Sequence, residues 1–376
     1  MYIDRIFELD ELLNYEKIVA EAKGIDITNI SYWNASPQYQ DYMIKYIKLE
    51  HTKDIFSYKY TYDIPLYIRN EIIKKLIGYT NQEIMCLLTS SSTCSIVNII
   101  NFIKYNGFHK LCIITPAYFA VEQNCKIFQL QYEKKSLIFC NGKYYIPLEY
   151  ILNNSFDVVW ITSPIYSTSQ EYDVSQIQAI KELIHNDILV IADETLAMPG
   201  QELARILPIN KYFYSIYSPH KPLFINSIKF SAIICPKRND DFLEQWIDVL
   251  GGGLLHSNIS AIMHFLSANY QSCVRHSLEW YLKNITAIES ILNQFPNAFC
   301  NTMDVGAYKT VYFHSNKNEP DKIETIKHLI NTQYVSYIPG SFNGFGEDEY
   351  NCFRINLSLD FLETKNLLYR ILSYYA

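Results

Sequence analysis

The stretch Ile188-Leu-Val-Ile-Ala-Asp193, with Tyr217-Ser-Pro-His-Lys221 after it, decides the fold class of this 376-residue chain. The first segment is a short, continuous apolar run, which is typical of a strand buried on both faces of a parallel sheet. It ends on the carboxylate of Asp193, and Lys221 follows 28 residues later in a Ser-x-x-Lys turn. Because ligands bind at the carboxyl ends of strands in such sheets, we expect both side chains at one sheet edge.

Five further apolar runs of the same kind accompany this stretch, with helical patterns between them. The runs cover residues 84–88, 110–114, 158–161, 213–217 and 231–235, and the helical patterns cover residues 95–103 and 174–184. This alternation predicts an α/β fold with a mostly parallel sheet covered by helices on both faces. Polar residues follow the runs at 89–93, 115–118, 163–168, 193 and 218–221, which predicts a ligand site where the strands end.

The pattern changes after Pro236, and the length of the chain favours two domains. Three glycines at 251–253 precede a helical stretch over about 257–295, and strand-like pieces follow at 310–313 and 352–357. We predict a large domain over residues 51–255. A smaller α/β domain is predicted from residues 1–50 together with residues 256–376.

Composition and charge exclude several classes of function. The net charge is −7 with both signs interspersed, which argues against a nucleic-acid or membrane surface. No apolar stretch approaches the roughly 20 residues of a spanning helix, and the first residues have no signal-peptide pattern, so we expect a cytoplasmic protein. The nine cysteines are scattered without a C-x-x-C pair and the histidines are dispersed, which predicts buried thiols and no structural metal.

A lysine and a buried carboxylate at one sheet edge are the side chains that pyridoxal phosphate (PLP) requires. The amine of Lys221 would form a Schiff base with the cofactor aldehyde, and Asp193 would keep the pyridine nitrogen protonated. Each residue alone is a weak signal, since buried strands often end in Asp and surface lysines are common. Together, and in order with the segments around them, they predict a PLP site.

In order along the chain, the segments resemble the class I/II aminotransferases, which are fold type I PLP enzymes of the aspartate aminotransferase superfamily. The resemblance covers residues 58 to 357. Where that family has a small-residue turn that leads into a helix and binds phosphate, this chain has Thr89-Ser-Ser-Ser-Thr-Cys-Ser-Ile96. A helix N-terminus also offers free N–H donors to an anion. The resemblance implies phosphate contacts from Ser92, Thr93, Ser218 and Lys229, with Lys229 where the family usually has an arginine.

The resemblance also implies residues around the cofactor ring. Tyr118, in Pro116-Ala-Tyr118, matches the aromatic residue that stacks on the pyridine. The family's Asn-Pro-x-Asn-Pro-Thr-Gly is Ser-Pro-Ile-Tyr-Ser-Thr over 163–168, and its Asp-x-x-Tyr ends here in Leu196. Both usual partners of the cofactor's phenolic oxygen are therefore replaced, and one interpretation is that Tyr166 donates to that oxygen.

Near the C-terminus, Val335-Ser-Tyr-Ile-Pro-Gly-Ser-Phe342 and the following Phe353-Arg-Ile355 resemble the family's last motifs. The match implies that Arg354 binds the α-carboxylate of the substrate, since a guanidinium can hold a carboxylate through two parallel hydrogen bonds. Tyr58 or Tyr60 stands where the family offers a tyrosine to the phosphate of the neighbouring subunit.

From this resemblance we predict a PLP-dependent aminotransferase that acts on an amino acid as a homodimer. The altered residues around the phenolic oxygen, and a His-Lys pair at 220–221 of the kind common in PLP-dependent decarboxylases, leave a second interpretation open. That interpretation is a specialised decarboxylase, lyase, cyclase or oxidase of a biosynthetic pathway. A third is a catalytically decayed PLP fold that serves as a scaffold.

Overall fold

The computed structural model describes residues 4–47, 64, 66–79, 81, 83–140, 143–226, 228–237, 240–251, 254, 256–300, 305–314, 322–345 and 351–375. The helices are α1 Asp4–Lys23, α2 Pro37–Ile44, α3 Leu66–Ile77, α4 Ser92–Tyr105, α5 Phe119–Ile127, α6 Leu148–Asn153, α7 Val174–His185, α8 Asp240–Gly251, α9 His256–His264, α10 Tyr270–Leu292, α11 Lys322–Gln333 and α12 Phe361–Tyr375. The strands are β1 Thr28–Asn29, β2 Ile84–Thr89, β3 Lys110–Thr115, β4 Gln131–Ser136, β5 Ile138–Cys140, β6 Lys143–Tyr145, β7 Val158–Thr162, β8 Leu189–Glu194, β9 Phe213–Tyr217, β10 Ser231–Pro236, β11 Ala298–Cys300, β12 Tyr308–Phe313, β13 Val335–Ser336 and β14 Asn351–Asn356.

A seven-stranded sheet in the order β2-β10-β9-β8-β7-β3-β4 forms the centre of the fold. Strand β10 runs antiparallel to both of its neighbours, and the other pairs are parallel. The predicted mostly parallel α/β sheet is therefore confirmed. All six of the predicted apolar runs are strands of this sheet.

The apolar runs are continuous because the central strands are buried on both faces. In β7, Val158 and Trp160 belong to one hydrophobic cluster while Val159 and Ile161 belong to the other. Side chains alternate between faces along a strand, so a strand with a core on each side is apolar at most of its positions. Helices α4, α5 and α8 pack together over one face, and α7 packs against β8.

One strand of this sheet was not predicted. Strand β4, with the sequence Gln-Tyr-Glu-Lys-Lys-Ser, pairs only with β3 at the edge of the sheet. Its side chains are exposed or half-buried, so charged residues are tolerated there and the apolar signal is lost. Strand β8 also runs one residue further than the predicted run-end, so that Asp193 lies within the strand and Glu194 ends it.

The N- and C-terminal parts of the chain associate through short sheets and helix contacts. Strand β1 pairs in parallel with β13, with Thr28 opposite Val335, and α1 packs against α11. Strands β11, β12 and β14 form an antiparallel sheet, which contains the two predicted strand pieces near 310 and 352. The helical stretch predicted over 257–295 is α9 and α10 joined by a π-helical segment, Phe265–Asn269. The domain boundaries at residues 50 and 255 stay a prediction.

Candidate active site

A cavity of about 530 Å³ lies where the central strands end, and it is lined by Thr162 of β7, Asp193 of β8 and residues that follow β2, β3 and β9. The sheet brings these residues together: Thr162 of β7 pairs with Asp193 of β8, which pairs with Ile216 of β9 shortly before Lys221. All the cofactor and substrate residues that the sequence predicted within the described part of the chain line the cavity. They are Ser92, Thr93, Tyr118, Tyr166, Asp193, Ser218, Lys221, Lys229 and Arg354. Tyr58 and Tyr60 lie outside the described residues.

Lys221 and Asp193 form the charged centre of the cavity. The Lys221 Nζ donates a hydrogen bond to Ser92 Oγ at 3.2 Å and lies 5.5 Å from the centroid of the Tyr118 ring. Burial lowers the pKa of Lys221, and the nearby Asp193 carboxylate opposes part of that shift. Asp193 accepts hydrogen bonds from the backbone N–H of Thr195 at 3.2 Å and from the Thr195 hydroxyl. Burial raises the pKa of Asp193, while these bonds and Lys221 favour its charged form.

The N-terminus of α4 forms the second part of the site. Ser91 is the N-cap residue, and its hydroxyl accepts from the Cys94 N–H at 3.1 Å. Ser92 and Thr93 are therefore not caps but the first two residues of the helix, where backbone N–H groups are free to bind an anion. Helix α4 starts three residues before the predicted helical pattern at 95–103. Its serine- and threonine-rich first turn has a low apolar content, which explains the difference.

Tyr118 and Tyr166 contribute two aromatic rings to the wall of the cavity. Their centroids are 6.4 Å apart, and Tyr118 forms a hydrogen bond with Thr93. Tyr166 is buried, and its hydroxyl accepts from Arg354 Nη1 at 3.4 Å. Burial raises the pKa of both phenols, so they carry their protons at neutral pH.

Arg354, in β14, is fixed by contacts that the sequence did not predict. Its Nε donates to the Ser31 carbonyl at 3.0 Å, and its Nη1 lies 3.5 Å from Ser167 Oγ. Its Cζ lies 4.4 Å from the Trp33 ring centroid and 4.6 Å from the Tyr308 centroid. Nothing in the sequence marked Trp33 or Tyr308, because such ring packing has no sequence period and the chain has 32 tyrosines.

His220 lines the cavity directly before Lys221 and is buried. Its ring stacks on Phe230 with a centroid separation of 4.8 Å and an interplanar angle of 25°. Burial, followed by the charges of Lys221 and Lys229, lowers the pKa of His220 to about 3. The imidazole is therefore neutral at physiological pH.

Four buried polar atoms around the cavity have no hydrogen-bond partner among the described residues. They are Thr162 Oγ1, Ser218 Oγ, His220 Nδ1 and Arg354 Nη2. A buried polar atom without a partner costs about 1–3 kcal/mol, and more if it is charged. The residues present therefore fit a polar, anionic occupant, and PLP with an amino-acid carboxylate has this chemistry.

Comparisons with solved structures match the whole fold. A Thermus thermophilus aspartate aminotransferase variant aligns over 99% of this chain and 97% of its own, with a TM-score of 0.79 at 12% identity. The chain has the aspartate aminotransferase fold. A PLP-bound C-S lyase from Staphylococcus hominis aligns over 93% and 89% with a TM-score of 0.71 at 16% identity. An Escherichia coli protein with a methionine aminotransferase function aligns over 95% of both chains, with a TM-score of 0.73 at 13% identity.

These identities are low, and neither a family model nor a curated protein matches this chain. Leu196 and Tyr166, the two residues that differ from the motifs that the sequence otherwise resembles, both line the cavity. Within the described residues, no group of three or more His, Cys, Asp and Glu side chains could hold a metal. The described helices also include none that is long and apolar enough to cross a membrane.

Proposed function

We propose that this chain is a PLP-dependent enzyme that acts on the amino group of an amino acid, as an aminotransferase. The observation that carries the proposal is the meeting of Lys221, Asp193 and Arg354 around one cavity, from three separate parts of the chain. When bound, PLP supplies an aldehyde that takes up the amino group and a pyridinium ring that accepts the electrons released at the substrate Cα.

The residues of the cavity divide between the cofactor and the substrate. Lys221 would hold the cofactor through Nζ, and Asp193 would keep a proton on the pyridine nitrogen. Tyr118 would stack on the ring and Tyr166 would donate to its phenolic oxygen, in place of the usual Asn and Tyr. The phosphate would be bound by the first turn of α4 and by the side chains Ser92, Thr93, Ser218 and Lys229.

Arg354 would orient the substrate by binding its α-carboxylate. The Nζ of Lys221 would also move the proton at the substrate Cα. Its lowered pKa suits this role, because a general base is most effective when its pKa lies near the working pH. The rings of Tyr118 and Tyr166 would exclude water from the same space.

A second candidate is a lyase that releases ammonia, and one specific observation favours it. The S. hominis C-S lyase aligns with this chain about as well as the E. coli aminotransferase does, with TM-scores of 0.71 and 0.73. The replacement of both usual partners of the phenolic oxygen is also compatible with a change of reaction. A decarboxylase, cyclase or oxidase would use the same cofactor site.

The products distinguish these reactions. The purified protein, loaded with PLP, would be incubated with each amino acid, with and without an added 2-oxo acid. An aminotransferase forms a new amino acid, and more than one equivalent of the 2-oxo acid per enzyme, only when the acceptor is added. Ammonia without an acceptor and without consumption of dioxygen would identify a lyase, ammonia with consumption of dioxygen an oxidase, and carbon dioxide with an amine a decarboxylase. If none of these products forms although PLP is bound, the proposed aminotransferase activity is wrong, and a cyclase or the scaffold hypothesis remains.

We also propose that the enzyme is a homodimer, since the family it resembles completes its active site at a subunit interface. Light scattering on the purified protein tests this proposal: a monomer at micromolar concentration would contradict it. The expected partner is a small amino-acid substrate, and cytoplasmic location stays a proposal.

A further inference from the structure

The guanidinium of Arg354 is one of the most restrained groups in the cavity. Only 1% of the residue is exposed. Its Cζ lies 4.4 Å from the centroid of the Trp33 ring and 4.6 Å from that of Tyr308. We call Trp33 and Tyr308 the aromatic clamp. Cation–π contacts of this kind contribute most when the cation has lost its water, as it has here.

The hydrogen bonds of Arg354 leave one donor group for a ligand. The Nε bonds the Ser31 carbonyl at 3.0 Å, and the Nη1 contacts the hydroxyls of Tyr166 and Ser167 at 3.4 and 3.5 Å. The Nη2 is buried and has no partner among the described residues. A guanidinium has five N–H groups in a rigid plane, so its orientation decides where the Nη2 pair points.

Trp33 is itself held in place from two sides of the cavity. Residues 30–34 are irregular backbone beside β14, and Asn356 Nδ2 donates to the carbonyls of Tyr32 at 3.0 Å and Asn34 at 2.7 Å. From the turn after Lys221, Asn226 Nδ2 donates to the Trp33 carbonyl at 3.3 Å. Trp33 and Asn226 both line the cavity. The backbone of Trp33 is therefore anchored to Asn356 of β14 and to Asn226 in the turn after Lys221.

We propose that Trp33 is a positioning residue for the substrate carboxylate, acting through Arg354. Its ring, with that of Tyr308, holds the guanidinium so that the unpartnered Nη2 group faces the carboxylate of the substrate. The inference rests on the proposed function, since it deepens the role given there to Arg354. Trp33 thus contributes to the discrimination between a carboxylate and an uncharged group of the same shape.

The alternative role for Trp33 is that of an apolar wall of the cavity, and the two roles predict different binding. A wall contacts the body of the ligand and stabilises charged and uncharged ligands alike. A residue that orients Arg354 stabilises the carboxylate selectively. The ratio of the affinities for a carboxylate and for its amide separates the two, because both ligands have the same apolar body.

The experiment measures the binding of 3-phenylpropionate and of 3-phenylpropionamide to the PLP-loaded protein by titration calorimetry. Neither ligand has an amino group, so neither reacts with the cofactor. We expect Trp33→Leu to lower the carboxylate-to-amide affinity ratio by about 3- to 30-fold, the range that cation–π energies imply. Trp33→Phe keeps an aromatic ring, so its carboxylate-to-amide affinity ratio should lie between those of the wild type and Trp33→Leu. If Trp33→Leu does not fold, the ratio of Trp33→Phe tests the proposal.

Tyr369→Leu is the control, because Tyr369 is an exposed aromatic residue of α12 that does not line the cavity. Its ratio should equal that of the wild type. An equal loss of affinity for both ligands in Trp33→Leu would overturn the proposal and leave Trp33 as a wall. An unchanged carboxylate-to-amide affinity ratio in both Trp33→Leu and Trp33→Phe would also overturn the proposal.

Failure of this inference can be told from failure of the proposed function. Cofactor loading is read separately from the visible absorbance of each variant before titration. A protein that takes up PLP and shows no dependence of the ratio on Trp33 contradicts only the role of Trp33. A protein that takes up no PLP contradicts the proposed function, and the calorimetric ratio still tests Trp33 and Arg354 in the cofactor-free protein.

Discussion

Replacement of Arg354 by lysine should weaken the use of the substrate without weakening cofactor binding. The change keeps a positive charge but removes the planar fork, including the Nη2 group that has no partner in the protein. It also removes the Nε bond to the Ser31 carbonyl at 3.0 Å, so the new ammonium has no fixed direction. Lysine is a point charge and cannot bind a carboxylate through two parallel bonds.

The expected size of the effect follows from the bonds that are lost. A hydrogen bond to a charged group contributes about 1.5–3 kcal/mol, so the loss of one such bond lowers kcat/KM by roughly 10- to 150-fold. Most of the loss should be in KM, because the carboxylate is bound in the ground state as well as in the transition state. Steady-state kinetics with the best amino acid, and a PLP titration followed by absorbance, measure the two effects.

The control for this prediction is Arg205→Lys. Arg205 pairs with Glu202 through Nε and Oε2 at 2.6 Å, and neither residue lines the cavity. The control can lower stability, but it should leave KM within about threefold of the wild type, since it leaves every cavity side chain in place. A kcat/KM for Arg354→Lys within threefold of the wild type, in a folded and PLP-loaded protein, would refute the role given to Arg354.

Three further predictions concern the cofactor site and the sheet beneath it. Ser218→Ala should weaken PLP binding by roughly 10- to 150-fold, measured by equilibrium titration, because the charged phosphate loses the hydrogen bond from a buried hydroxyl. Pyridoxal, which has no phosphate, should bind as before, and equal losses for both would contradict the assignment. Tyr166→Phe should raise the pH midpoint of the cofactor's visible absorbance change by about one unit, because one pKa unit corresponds to about 1.4 kcal/mol, close to the energy of one hydrogen bond. An unchanged midpoint would exclude Tyr166 as the donor to the phenolic oxygen. Burial, with Glu202 nearby, raises the pKa of Glu194 to about 8, so the native state keeps a proton that the unfolded chain releases, and stability falls as pH rises from about 4.5 to 8. The free energy of unfolding, measured with urea between pH 6.5 and 8, should fall more steeply in the wild type than in Glu194→Gln, by at most about 1.4 kcal/mol per pH unit. The protonation of His220 on unfolding is common to both proteins and cancels in this comparison; equal slopes would contradict the prediction.

The central sheet could be predicted from the sequence because burial on both faces removes polar residues from its strands. Strands β7 and β8 are apolar until the position at which they reach the cavity, where Asp193 appears. The edge strand β4 could not be predicted in this way, since it has one neighbour and its charged side chains reach solvent. Continuous apolarity is a signal of the centre of a parallel sheet and says little about its edges.

The cavity could be predicted as far as its residues lie at strand ends or in recognisable turns. Lys221, Asp193 and the first turn of α4 meet that condition. Trp33 and Tyr308 do not, because they reach Arg354 through tertiary packing of the N-terminal segment and β12 against β14. A ring that packs on a guanidinium has no periodic or motif signal in a single sequence. Tyr308 could therefore not be distinguished from the other tyrosines among the 32 in the chain.

The most direct test of the proposed cofactor site is whether PLP becomes attached to Lys221. The purified protein would be incubated with PLP, its visible spectrum recorded, and the sample reduced with borohydride and digested for mass spectrometry. We expect a visible absorbance band that borohydride removes, with one cofactor fixed on the peptide that contains Lys221, and no fixation in Lys221→Ala. A colourless protein that fixes no cofactor, or fixation on another lysine with Lys221 unmodified, would contradict it.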